Sequence, residues 1–191
     1  MKQGHKSNIK ENKSYYITMT VVGWIDIFSR DIYREILVKS LRHCIKEKGL
    51  NVFAYVIMIN HLHLIVNSNE NFELSATIRD FKKFTSKACI NQIISGVESR
   101  KEWMLKLFSG FALESTRHKD YMFWQQGNHA IELYNPKFTW VKINYVHDNP
   151  VRAGFVKKQE DWIYSSVSNY MDLESKIPEV VMLPPFLNFN G

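Results

Sequence analysis

Twelve consecutive residues, Tyr55-Val-Ile-Met-Ile-Asn-His-Leu-His-Leu-Ile-Val66, form an apolar run broken only by Asn60 and two histidines. In an extended strand, residues two apart share a face, so His61 and His63 point the same way, about 6 to 7 Å apart along the chain. Leu62, Leu64 and Val66 then face the other way, into a core. Two imidazoles at that spacing suit one divalent cation. A pair of buried, hydrogen-bonded core histidines is the alternative, and the motif by itself names no reaction.

A chain of 191 residues with 45% hydrophobic and 14% aromatic residues fits one domain with a sizeable core and excludes a disordered polypeptide. The net charge of +6 fits a polyanionic partner without requiring one. Cys44 and Cys89 have neither a zinc-like nor a C-x-x-C spacing, which points to a reduced, cytoplasmic setting. Residues 1–13 read as a flexible basic arm without an apolar leader, and no run is long enough to span a bilayer.

Residues 14–22, rich in Tyr, Ile, Thr and Val, predict a first strand. A turn over 23–29 follows, with Ser29 as cap of a helix carrying Tyr33, Ile36, Leu37, Leu41, Cys44 and Ile45, ended by Gly49. A second strand, 51–58, turns at Ile59-Asn60 into the histidine strand, and the two pair as a hairpin. Strand, helix and hairpin make half of a ferredoxin-like sandwich. A helix over 74–94 turns Ile78, Phe81, Phe84 and Ala88 to the sheet and shows Arg79, Lys82, Lys83 and Lys87 on its other side, a face suited to solvent or to phosphates.

Within 95–120 the pattern gives only a short helix, 98–108, before Gly110. A strand over 121–126 bends at Gly127-Asn128 and continues through 129–133; its His129 is an isolated histidine and is not counted as a ligand. Asn135-Pro136 starts a helix that Pro150 should stop, with Tyr145 and Asn149 one turn apart on one face. Residues 162–170 predict a short helix, and 171–191 an extended C-terminal tail. No second domain or repeat is evident, which leaves 14–170 as a single domain.

Two sheet histidines need another donor to hold a cation, and the Asn149 amide oxygen can serve, with the Tyr145 phenol one turn away. That combination suits phosphodiester chemistry, with tyrosine rather than water attacking phosphorus. Ile57-Met-Ile-Asn-His-Leu-His-Leu-Ile65 resembles the His-hydrophobic-His motif of the single-tyrosine HUH transposases, the IS200-like family. Asn144-Tyr-Val-His-Asp-Asn-Pro-Val-Arg-Ala-Gly-Phe-Val156, Glu160-Asp-Trp-Ile-Tyr-Ser-Ser166 and Tyr170 are similar to the C-terminal signature of the REP-associated tyrosine transposases, and Phe81-Lys-Lys-Phe-Thr85 and Phe123-Trp-Gln125 resemble that branch too. Ile59 departs from the Pro often found before the Asn-His pair.

The resemblance implies an α+β ferredoxin-like fold, with an antiparallel sheet carrying the His-x-His strand, helices on one face and the nucleophile on a helix of the C-terminal half. It implies His61, His63 and Asn149 as ligands of Mg²⁺ or Mn²⁺ and Tyr145 as a nucleophile forming a 5′-phosphotyrosine. The expected substrate is single-stranded or hairpin DNA, cut and rejoined by a monomer or homodimer at the nucleoid. The rival readings are a hairpin-binding protein that does not cut and a metal-dependent hydrolase using water.

Overall fold

The computed structural model describes residue 9 and residues 13–116 and 120–185. The arm at 1–13, apart from Ile9 and Lys13, and the end of the tail lie outside the described residues. Four strands, β1 (Tyr15–Thr20), β2 (Leu50–Ile57), β3 (His61–Ser68) and β4 (His129–Glu132), form one antiparallel sheet in the order β2-β3-β1-β4. The helices are α1 (Asp31–Glu47), α2 (Leu74–Ser95), α3 (Lys101–Leu113), α4 (Pro136–Arg152) and the single turn α5 (Val167–Tyr170).

Alternation along the strands separates two cores. Ile17, Met19, Leu62, Leu64 and Val66 pack with Leu37 and Leu41 of α1 and Ile78 and Phe81 of α2. On the opposite face Tyr16, Val56, Met58 and Ile65 pack with Ile143 and Val146 of α4. A bulge between Val52 and Ala54 lets two residues that would share a face enter different cores.

The expected hairpin is present, closed by the Met58 N–H donating to the His61 carbonyl at 2.8 Å. Gly49 ends α1 in the left-handed region at φ 59°, and Asn135 caps α4 by accepting from the Phe138 N–H at 2.7 Å.

Several local expectations are corrected. Residues 121–126 are not a strand: Met122, Phe123 and Trp124 all enter the same core, which a pleated strand forbids, and only Trp124 bridges Val21. On α2 the buried position after Phe81 is Thr85, whose hydroxyl donates to the Phe81 carbonyl and accepts from the Trp124 indole; Phe84 is 61% exposed and Ala88 only half-buried. Helix α3 begins and ends later than expected and runs through Gly110. Glu98, instead of joining it, is buried among Tyr33, Arg30 and Arg100.

Ser29 closes a 3-10 turn, and Arg30 occupies the cap position of α1. Pro150 lies within the last turn of α4, where its missing N–H removes a single bond, and the helix reaches Arg152 before Gly154 turns it. Only 167–170 of the expected last helix is helical; Tyr164–Ser166 instead covers the β2 edge through Ile57 N–H to Tyr164 O and Ser166 N–H to Tyr55 O, each 2.9 Å. Ile177 and Val180 then pack the irregular tail into the core.

Two glycines are predicted to respond in opposite directions. A Cβ at Gly49 would lie 2.2 Å from the Phe72 ring, at a positive φ, so Gly49→Ala should lower stability by more than about 1 kcal/mol. Gly110 has nothing within 4 Å, so Gly110→Ala should raise it by about 0.5 to 1 kcal/mol. Urea unfolding measures both.

Candidate active site

His61 and His63 open β3 and lie on the α4 face of the sheet. Register places Thr18 opposite His63 and Thr20 opposite His61. The two imidazoles meet edge to face with centroids 4.7 Å apart. His61 Nδ1 donates to the Asn60 side-chain oxygen at 2.7 Å, which leaves its Nε2 lone pair free. Nδ1 of His63 is engaged by the hydroxyls of Tyr16 at 2.8 Å and Thr18 at 2.9 Å; in the tautomer with its proton on Nδ1, both hydroxyls accept and the Nε2 lone pair can ligate a cation.

Burial lowers the pKa of His61 to about 4. Burial, helped by His61 and Lys142, lowers that of His63 to about 3. Both imidazoles are therefore neutral at pH 7, the form that ligates a cation.

Helix α4 lies across this face and presents Tyr145. Its ring is 5.8 Å from His63 and 6.1 Å from Tyr16, centroid to centroid. The Lys142 ammonium lies 5.7 Å and the Arg152 guanidinium 5.3 Å from the Tyr145 ring centroid, so two cations approach the ring. Tyr16 is pushed up to about 12, chiefly by burial, and stays a protonated hydroxyl.

Asn149 stands one turn beyond Tyr145 on the same stripe, half-buried, with its side chain making no hydrogen bond among the described residues. No group of three His, Cys, Asp or Glu capable of holding a metal occurs among the described residues. The candidate donors are two neutral imidazoles with ring centroids 4.7 Å apart and, one helical turn beyond Tyr145, an uncommitted amide; these residue types suit a divalent cation that keeps further positions for water or phosphate. His129, paired with Thr18 on β4, shares this face but lies one strand further out and is exposed.

The basic residues of α2 are on the other side of the molecule. Arg79, Lys82, Lys83 and Lys87, with Trp124 and residues 125–128, line an open groove of ≈ 850 Å³. They are not one equivalent face. Lys82 Nζ donates to the carbonyls of Gln125 and Gly127, both at 2.9 Å, and to Asn128 Oδ1 at 3.2 Å, while burial lowers its pKa to about 8. It anchors the 125–128 bend, whereas Lys83 and Lys87 are exposed.

Sequence reasoning missed Tyr16, Thr18, Lys142 and Arg152. The last two sit three before and seven after Tyr145, a helical spacing that was available. The β1 hydroxyls could be found only from strand register.

A family model described as "Transposase IS200 like" matches residues 10–122. The chain belongs to this family. A transposase role acting on DNA follows from membership. The matched span includes His61 and His63 and ends before Tyr145. Among solved structures, the chain is similar to a REP-associated tyrosine transposase bound to a REP hairpin, with 18% identity, 100% of this chain and 96% of that chain covered, and a TM-score of 0.65; this shows the shared fold. A transposase candidate from Deinococcus radiodurans R1 matches at 14% identity over 78% of this chain and 97% of that one, with a TM-score of 0.42. No curated protein matches. No described helix is long and apolar enough to cross a membrane.

The buried histidines predict an acid-sensitive fold. Burial also lowers His147 to about 4, so folded His63 and His147 resist protonation while unfolded imidazoles take protons near pH 6.5. The unfolded chain binds more protons in that window. Their contribution is complete above about pH 6.5 and is lost as pH falls towards 4. Urea unfolding in metal-free buffer should show wild type losing about 2 kcal/mol per histidine between pH 6.5 and 5, and His63→Gln or His147→Gln should reduce that loss.

Proposed function

We propose that this protein is a metal-dependent transposase that cleaves and rejoins single-stranded DNA at hairpin-associated sites through a 5′-phosphotyrosine on Tyr145. The observation that carries this reading is the convergence of Tyr145 with His63 and Tyr16 on one face of the sheet, with Lys142 and Arg152 both close to the Tyr145 ring. His61, His63 and Asn149 would hold Mg²⁺ or Mn²⁺, which when bound supplies Lewis-acid polarisation of a non-bridging phosphate oxygen.

The chain's own residues do the rest. Tyr16 and Thr18 hold the orientation of the His63 ring. Lys142 and Arg152 offset the charge of the phosphate and of the developing phenolate. The Tyr145 oxygen forms a bond to phosphorus as the bond to the 3′-oxygen breaks; the phenol proton leaves to solvent and the 3′-oxygen is released as a hydroxyl. Attack by a 3′-hydroxyl reverses the exchange and rejoins the strand. The phosphotyrosine keeps the phosphodiester energy, so no nucleotide cofactor enters. A water-using hydrolase fits less well, because no carboxylate contacts the histidine pair among the described residues.

The α2 groove is the second half of the proposal: Arg79, Lys83 and Lys87 meet the phosphates of a hairpin, and Lys82 shapes the groove by holding 125–128. That a protein of the same fold is bound to a REP hairpin supports a hairpin as the ligand. Lys83→Glu and Lys87→Glu should each flatten the salt dependence of hairpin binding by about 0.7 to 0.9 log units per log unit of salt, the lower value for a loop phosphate and the higher for a stem phosphate.

Hairpin oligonucleotides labelled on the 5′ or the 3′ side of the cut test the chemistry on a denaturing gel. With Mg²⁺ or Mn²⁺, the 3′-side label should shift with protein, and Tyr145→Phe should abolish the shift while binding persists. An adduct formed by Tyr145→Phe, or one carrying only the 5′-side label, contradicts the mechanism. Hairpin binding without any adduct would establish the non-cutting DNA-binding protein instead.

A further inference from the structure

Trp24 follows β1 in a tight turn, with Gly23 at φ 61° and Trp24 at φ 56°. Glycine tolerates that conformation; a tryptophan, with its Cβ, is strained there. Burial of the ring does not compensate the strain, because the indole is 62% exposed. The backbone that holds it is nevertheless fixed. Val22 and Ile25 on either side are buried, the Val21 N–H donates to the Asn60 carbonyl at 3.0 Å, and the Phe111 ring closes against Gly23.

The turn is tied directly to the histidine pair. Asn60 Nδ2 donates to the Trp24 carbonyl at 3.2 Å, and the Oδ1 of the same amide accepts from His61 Nδ1 at 2.7 Å. One side chain thereby positions both the imidazole and the strained turn. The indole stands edge-on to His61, with centroids 6.3 Å apart. A large aromatic surface is thus carried on a fixed backbone and left bare at the lip of the candidate active site, and covering it requires little further loss of backbone freedom.

The occupant follows from that position. A strand whose phosphate reaches the imidazoles brings its bases to the same lip. A base within a duplex has both faces stacked, whereas an unpaired base has a face to offer an indole. We propose that Trp24 is the stacking platform for an unpaired base of the DNA strand whose phosphate lies at His61 and His63; this rests on the reading of that site given above.

The test compares strands with equal phosphate charge. In the Tyr145→Phe background with Mg²⁺, which prevents covalent capture, fluorescence anisotropy measures affinity for a thymidine strand of about thirty nucleotides and for an abasic strand of the same length. Trp24→Ala should weaken binding of the thymidine strand by about 5- to 100-fold and leave the abasic strand unchanged, while Trp24→Phe should retain most of the preference for bases. Equal weakening of both strands by Trp24→Ala, or weakening of neither, overturns the platform and leaves the cleavage reading standing. Failure of the Tyr145→Phe background itself to bind either strand overturns the single-strand reading and the platform together.

Discussion

Everything at the candidate active site depends on how β1 pairs with β3. Thr18 opposite His63 sets two hydroxyls, those of Tyr16 and Thr18, on one imidazole nitrogen, and sends Leu62, Leu64 and Val66 into the opposite core. A shift of one residue would exchange these faces, burying imidazoles against Leu37 and Phe81 and exposing leucines to α4. The apolar alternation of β3 therefore fixes the register, and the register fixes the chemistry.

The two faces divide the work. The α1–α2 side carries the larger core and, at its margin, the groove whose shape depends on Lys82. The α4 side carries a smaller core under Ile143 and Val146, and its flank leaves room for polar groups. Removal from water keeps His61 and His63 neutral well below pH 6.5, and Lys142 adds to the penalty on protonating His63. The same burial that holds the pair in the neutral form opposes its protonation in the folded chain.

Patterns set by neighbours in the chain were legible in the sequence. The hairpin, the shared face of the histidines, the left-handed Gly49 and the Asn135 cap each follow from spacings of a few residues. What was not legible required distant partners. Thr85 looks less suited to a core than Phe84, yet its hydroxyl is satisfied by Phe81 and by Trp124, thirty-nine residues away. Residues 162–166 pattern like a helix but cover the open β2 edge, whose backbone groups need partners. Glu98 is buried because Arg30, Tyr33 and Arg100 surround it, and no local spacing announces that. For the site, the histidines and the Tyr145–Asn149 stripe were readable; the Tyr16 and Thr18 hydroxyls, forty-seven and forty-five residues from His63, were not.

The central claim is that the face opposite the main core holds a divalent cation on His61 and His63 beside, and independently of, the Tyr145 phenol. Pulsed electron paramagnetic resonance of bound Mn²⁺, in the presence of a DNA strand, reads this directly through coupling to imidazole nitrogen. The account predicts nitrogen coupling in wild type and in Tyr145→Phe, and its reduction in His61→Ala and in His63→Ala. Bound Mn²⁺ without nitrogen coupling in wild type, or with coupling unchanged by both histidine substitutions, would contradict it.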